Sequence, residues 1–140
     1  MADDKQAVAA KPLSGRTLDQ IRAEMAWGYV GEGLSKSPKY KNVAKSAPSL
    51  IMNSGLMATL AFYRSKSEGQ QLVQHLIDGL VTRLSPPDGS LKRSFLPVMK
   101  HLQSCNGQEY MRWTHEALEL LKWMRQFVDA LSQANKEEDS

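Results

Sequence analysis

The stretch EYMRWTHEALELLKWMRQFVDAL, residues 109–131, decides the fold. Tyr110, Trp113, Ala117, Leu120, Met124, Phe127 and Leu131 recur at alternating spacings of three and four, which lays them along one stripe of an α-helix. Met111, Thr114, Leu118, Leu121 and Val128 widen the stripe. Glu109, Arg112, Glu116, Glu119 and Gln126 fall largely outside it, where water can solvate them. The run is dense in Leu, Met, Glu, Ala, Lys and Arg and holds no Gly or Pro, so local propensity agrees with the period. A stripe this wide needs several partner helices. It predicts an all-α fold, a single-domain bundle of about five to seven helices with a long C-terminal helix. Trp113 and Trp123 are expected in the core, with a base-stacking platform as the competing role.

Upstream segments supply the partners. Thr17 is a good N-cap and Gln20 completes a loose capping box. Leu18, Ile21, Met25, Ala26, Trp27 and Val30 then form an apolar face, and Gly31 and Gly33 predict the helix end. Residues 34–39 read as a connector because Pro38 restricts its predecessor. Residues 40–45 read as a short helix and residues 47–52 as a second, entered through Ser46 and Pro48. After the break at Asn53, Ser54 and Gly55, the run LMATLAFY is almost wholly apolar and is expected in the centre, with Leu60 and Phe62 buried. Leu72, Leu76, Leu80 and Leu84 mark a further amphipathic helix that closes at Ser85-Pro86-Pro87-Asp88-Gly89. Residues 94–104 make a short helix with Pro97 in its first turn. Residues 1–15 read as a disordered lead-in, 16–134 as the helical domain and 135–140 as an acidic flexible tail.

At 140 residues the chain can bury a core without disulfide or metal staples. Its one cysteine, Cys105, excludes a disulfide framework and points to a reducing, cytoplasmic location. No apolar run approaches about eighteen residues, so no membrane span is expected. The three histidines, His75, His101 and His115, are dispersed, read as surface or helix-flank residues and offer no metal spacing. No GxSxG, HExxH, CxxC or phosphate-binding glycine loop is present, and no cofactor and no enzymatic role are expected.

Net charge is only +3, but it is segregated. Residues 33–67 carry Lys36, Lys39, Lys41, Lys45, Arg64 and Lys66 with no Asp or Glu, and residues 89–108 hold Lys92, Arg93 and Lys100, again without an acid. Clustered Lys and Arg release counterions when they meet phosphates, so a polyanion partner is one reading and a solvated basic face the other. Lys41 and Lys45, one turn apart, are the pair that helical geometry places together.

Three blocks carry a resemblance. RTLDQIRAEMAWGYV (residues 16–30), YKNVAKSAPSLIMNSGLMATLAFYRSK (residues 40–66) and EYMRWTHEALELLKWMRQF (residues 109–127), in that order, are similar to the small α-helical subunit of the Cmr complex, the type III-B CRISPR RNA-guided effector. They cover a little under half of the chain, and residues 68–108 depart from the family pattern. The resemblance implies a non-catalytic protein of antiviral defence that stacks head to tail into a minor filament. Its implied partners are the backbone subunits, copies of itself and the guide RNA–target RNA duplex. It also places Arg16, Arg22, Lys45, Lys66 and Arg125 where family members carry basic residues; Lys39, Lys41 and Arg64 join them from charge segregation alone. Arg125 has a second reading, as a residue that snorkels from the apolar stripe or pairs with Asp129. The competing function is a helical adaptor whose basic face meets an acidic protein.

Overall fold

The computed structural model describes residues 15–139, with side chains through residue 134. The lead-in expected over residues 1–15 lies almost wholly outside the described residues. Six α-helices follow in order: α1 (Leu18–Lys36), α2 (Tyr40–Ser54), α3 (Leu56–Arg64), α4 (Gln70–Leu84), α5 (Phe95–Ser104) and α6 (Gly107–Asp139), with a 3₁₀ turn at Ser67–Gly69 before α4. No strand occurs among the described residues. The chain is therefore the all-α bundle its periodicities predict. The helix α6 reaches Asp139, into the residues read as an acidic tail, whose side chains lie outside the described ones.

The apolar stripe of α6, the keel of the bundle, runs through the core. Trp113, Ala117, Leu120, Leu121, Met124 and Val128 are buried, and α1, α2 and α4 pack around them. The capping box starts α1 as expected: Thr17 Oγ1 accepts from the Gln20 N–H at 3.1 Å, and Gln20 Oε1 accepts from the Thr17 N–H at 2.7 Å. That helix does not stop at its glycines. It runs on to Lys36, and Gly33 serves packing instead, because the Tyr40 ring fills the space a Cβ there would need. A real stop comes at Gly55, whose φ of +93° turns the chain between α2 and α3 in a region that favours glycine.

Three further expectations are corrected. Residues 40–52 do not form two helices; α2 is continuous with Pro48 inside it. An internal proline costs about 3 kcal/mol. The helix persists because Tyr40, Val43, Ala44, Ala47 and Ile51 form one buried face that a break would split. Phe62 is not in the centre: α3 buries Leu56, Thr59, Leu60 and Tyr63, and Phe62 is left 48% exposed. Trp27, expected on the buried face of α1, is 52% exposed and meets Phe127 edge-on with ring centroids 5.1 Å apart.

Candidate nucleic-acid interface

The helices α2 and α3 pack side by side across the Gly55 turn, and since both lie within the acid-free segment their exposed faces carry no carboxylate. Lys39, which caps the start of α2, and Asn42 and Ser46 within it recur at three and four, so they share a stripe. Together with Phe62, Tyr63 and Lys66 they line a groove, with Glu68 as a further lining residue. Lys66 Nζ sits 5.2 Å from the Phe62 ring centroid. Lys41 and Lys45 fall on a different stripe and turn toward α6, where both meet Asp129 Oδ1, at 3.4 and 2.9 Å. Their proximity is legible from helical spacing; their shared carboxylate is not. The two ammonium groups hold the Asp129 carboxyl below its usual range, the Lys45 hydrogen bond foremost. Exposed pairs of this kind contribute little to stability, so phosphates can compete for both lysines.

The other nominated residues disperse. Arg64 lies over the Phe95 ring, 5.6 Å from its centroid, toward α5. Arg16 meets Glu24 Oε1 at 3.0 Å. Arg125 is exposed on α6, and Asp129, its expected partner, takes the two lysines instead.

Arg22 is displaced from any surface role. It is buried, and its Nε and terminal nitrogen donate to Glu116 Oε2 and Oε1 at 2.8 and 2.9 Å. Arg83 Nε stands 3.4 Å from the same Oε2, and Arg22 also approaches Glu119 at 3.7 Å. Glu116, expected in solvent, is 3% exposed. Burial alone raises a carboxyl; here the Arg22 hydrogen bonds and the Arg83 charge outweigh it and hold Glu116 below its ordinary value. This cluster is structural. It ties α1 and α4 to the keel.

A second buried polar cluster centres on His75, which is not the surface residue its sequence context predicts. Its Nε2 lies 2.6 Å from Glu32 Oε1, and a carboxylate only accepts, so Nε2 carries the proton. Nδ1 then accepts from the Tyr40 hydroxyl at 2.7 Å, and the Tyr29 ring stacks on the imidazole with centroids 4.8 Å apart. Burial, which disfavours the charged ring, pushes His75 below its ordinary value against the pull of Glu32. A depressed folded value means that the unfolded chain binds the proton first. The contribution of His75 to stability is present above about pH 6.5 and is lost as pH falls through the lower folded value. An imidazole NMR titration is expected to give His75 a midpoint below that of an ordinary histidine, with thermal stability falling as the ring titrates. A midpoint above it would mean that Glu32 outweighs burial.

Among the described residues no group of three or more His, Cys, Asp or Glu side chains is placed to hold a metal. None of the described helices is long and apolar enough to cross a membrane. Burial pushes the Cys105 thiol up, away from the thiolate form that reacts.

The family described as CRISPR-associated protein (Cas_Cmr5) matches residues 18–131, from the start of α1 to the end of the keel stripe. The span includes residues 68–108, which depart from the expected pattern. A crystal structure of a CRISPR-associated Cmr5 family protein from Thermus thermophilus superposes with a TM-score of 0.66 at 26% identity, covering 83% of this chain and 97% of that one.

Proposed function

The chain belongs to the Cmr5 family of CRISPR-associated proteins, and from that premise we propose that it is a non-catalytic small subunit of a type III-B CRISPR effector in the cytoplasm. In this reading it stacks with copies of itself beside the backbone subunits and holds target RNA through the α2–α3 face during antiviral defence. The observation that carries the RNA contact is the groove itself. Lys39, just before α2, and Lys66, just after α3, come to one surface within a segment, residues 33–67, that contains no acid. In an RNA-guided complex, base pairing reads sequence, so a protein subunit needs only shape and phosphate contacts. Lysines suit phosphates, and such contacts position a strand without reading it.

One subunit offers few phosphate contacts, so its own affinity is weak and falls steeply with salt. Repeated along a filament, the patch meets one strand several times, and each later contact forms at high effective concentration. Lys39→Glu with Lys66→Glu is expected to leave the fold intact, since both side chains are exposed. Target capture by a reconstituted complex should weaken far more than binding by the isolated subunit, and equally for unrelated target sequences. The slope of log affinity against log salt should shrink by about 0.7–0.9 for each phosphate that is no longer neutralised. Unchanged affinity and unchanged slope would remove this face from the RNA path. The competing adaptor reading, with an acidic protein on the basic face, would then be preferred.

A further inference from the structure

The α2–α3 groove has an aromatic floor as well as a basic rim. On the outer side of α3, Phe62 is a large hydrophobic residue left 48% exposed. Its position is fixed from behind. The neighbouring Tyr63 is buried and stands at 66° to Phe62, with ring centroids 5.2 Å apart. The Tyr63 hydroxyl and Ser46 Oγ share a hydrogen bond at 2.8 Å. That bond clasps α3 to α2. The ring of Phe62 is thus an exposed platform on a rigid mount, with the Lys66 ammonium 5.2 Å from its centroid and Lys39 and Asn42 in the same lining.

We propose that this groove takes one unpaired nucleotide of single-stranded RNA. The base stacks on Phe62, and the flanking phosphates engage Lys39 and Lys66, the latter leaving the ring face for the phosphate. The Asn42 amide lies in the lining, within the same stripe as Lys39, and can both donate to and accept from a base edge. Glu68 repels phosphate from its part of the groove, which confines the backbone to the lysine-lined part. Stacking tolerates every base because every base has a π-face, so the site adds affinity without reading sequence. The inference rests on the RNA-contact reading above and adds to it a base contact that phosphates alone do not make.

The test uses the full chain, a dye-labelled oligouridylate and the same backbone with abasic positions, compared by fluorescence anisotropy at low salt. Wild-type protein should bind the base-bearing strand more tightly than the abasic one. Phe62→Ala should abolish that preference, with a loss on the base-bearing strand of about tenfold, the order that base–aromatic stacking supplies. Phe62→Trp should restore it. Equal binding of the two strands by wild-type protein, or a preference that survives Phe62→Ala, would overturn the stacking inference and leave the phosphate reading standing. If Lys39→Glu with Lys66→Glu left both strands bound as before, the phosphate reading itself would fall, and the inference with it.

Discussion

Glu116→Ala is expected to destabilise the protein by about 3–5 kcal/mol, the range found when one partner of a buried ion pair is removed. The carboxylate is 3% exposed and answers two guanidinium groups, Arg22 through two hydrogen bonds and Arg83 at 3.4 Å. Alanine leaves Arg22 charged, buried and facing a void. Natural domains hold only about 5–15 kcal/mol in total, so the variant should be close to unfolding at ambient temperature. Arg83, less buried, can turn its head toward water, and Asp19 and Glu119 remain near Arg22 at 3.9 and 3.7 Å, which keeps the loss within that range. Arg22→Met combined with Glu116→Leu should recover much of the stability, because an apolar pair of similar volume needs no desolvation of charge. Urea unfolding of the three proteins decides it. A loss below about 1 kcal/mol for Glu116→Ala would place the cluster in the class of solvated pairs.

The position of Glu116 also shows where sequence periodicity stops informing. The apolar stripe of α6 is legible because Trp113, Ala117, Leu120 and Met124 repeat at the helical period and the core takes them all. A carboxylate beside that stripe reads as solvated until something distant answers it, and Arg22 lies 94 residues away in the chain. The same nonlocality explains the His75 cluster, whose partners Glu32, Tyr40 and Tyr29 come from α1 and α2. In LMATLAFY the limit is different. With no charged residue to mark an outside, the period carries no orientation, and Phe62 reads as core although it faces the groove. The stacking role that competes for Trp113 does not fit that residue, which is fully buried and donates Nε1–H to Glu109 at 2.8 Å. Charge segregation, which rests on composition and needs no orientation, marks the surface where the groove lies. It cannot separate Lys39 and Lys66, in the groove, from Lys41 and Lys45, drawn to Asp129. The family resemblance locates Arg22 as a basic position without revealing that its charge is spent inside the protein.

Leu120→Ala is expected to cost about 2–5 kcal/mol, and the size of the loss should depend on what stands at Gly79. Leu120 is fully buried at the centre of the keel. A Cβ added at Gly79 in α4 would come within 2.5 Å of Leu120 Cδ2, while its next neighbour, Tyr29, would be at 3.4 Å, the edge of ordinary contact. The Leu120 methyl, at the far end of its side chain, is therefore what must shift to admit a methyl group at residue 79. In the native background Gly79→Ala gains about 1 kcal/mol of helix propensity but overpacks the site by about 1–3 kcal/mol, so it should be neutral to destabilising. Once Leu120 is alanine, the same methyl group enters space the leucine has vacated, and the propensity gain stands alone. Gly79→Ala should then stabilise by about 1 kcal/mol, an inversion of sign that gives the pair a coupling energy of about 1–3 kcal/mol. Urea unfolding of the wild-type, two single and one double variant measures that coupling directly. Additive changes would show that the methyl group is admitted at residue 79 at no cost to Leu120, and that Leu120 does not set the spacing between α4 and α6.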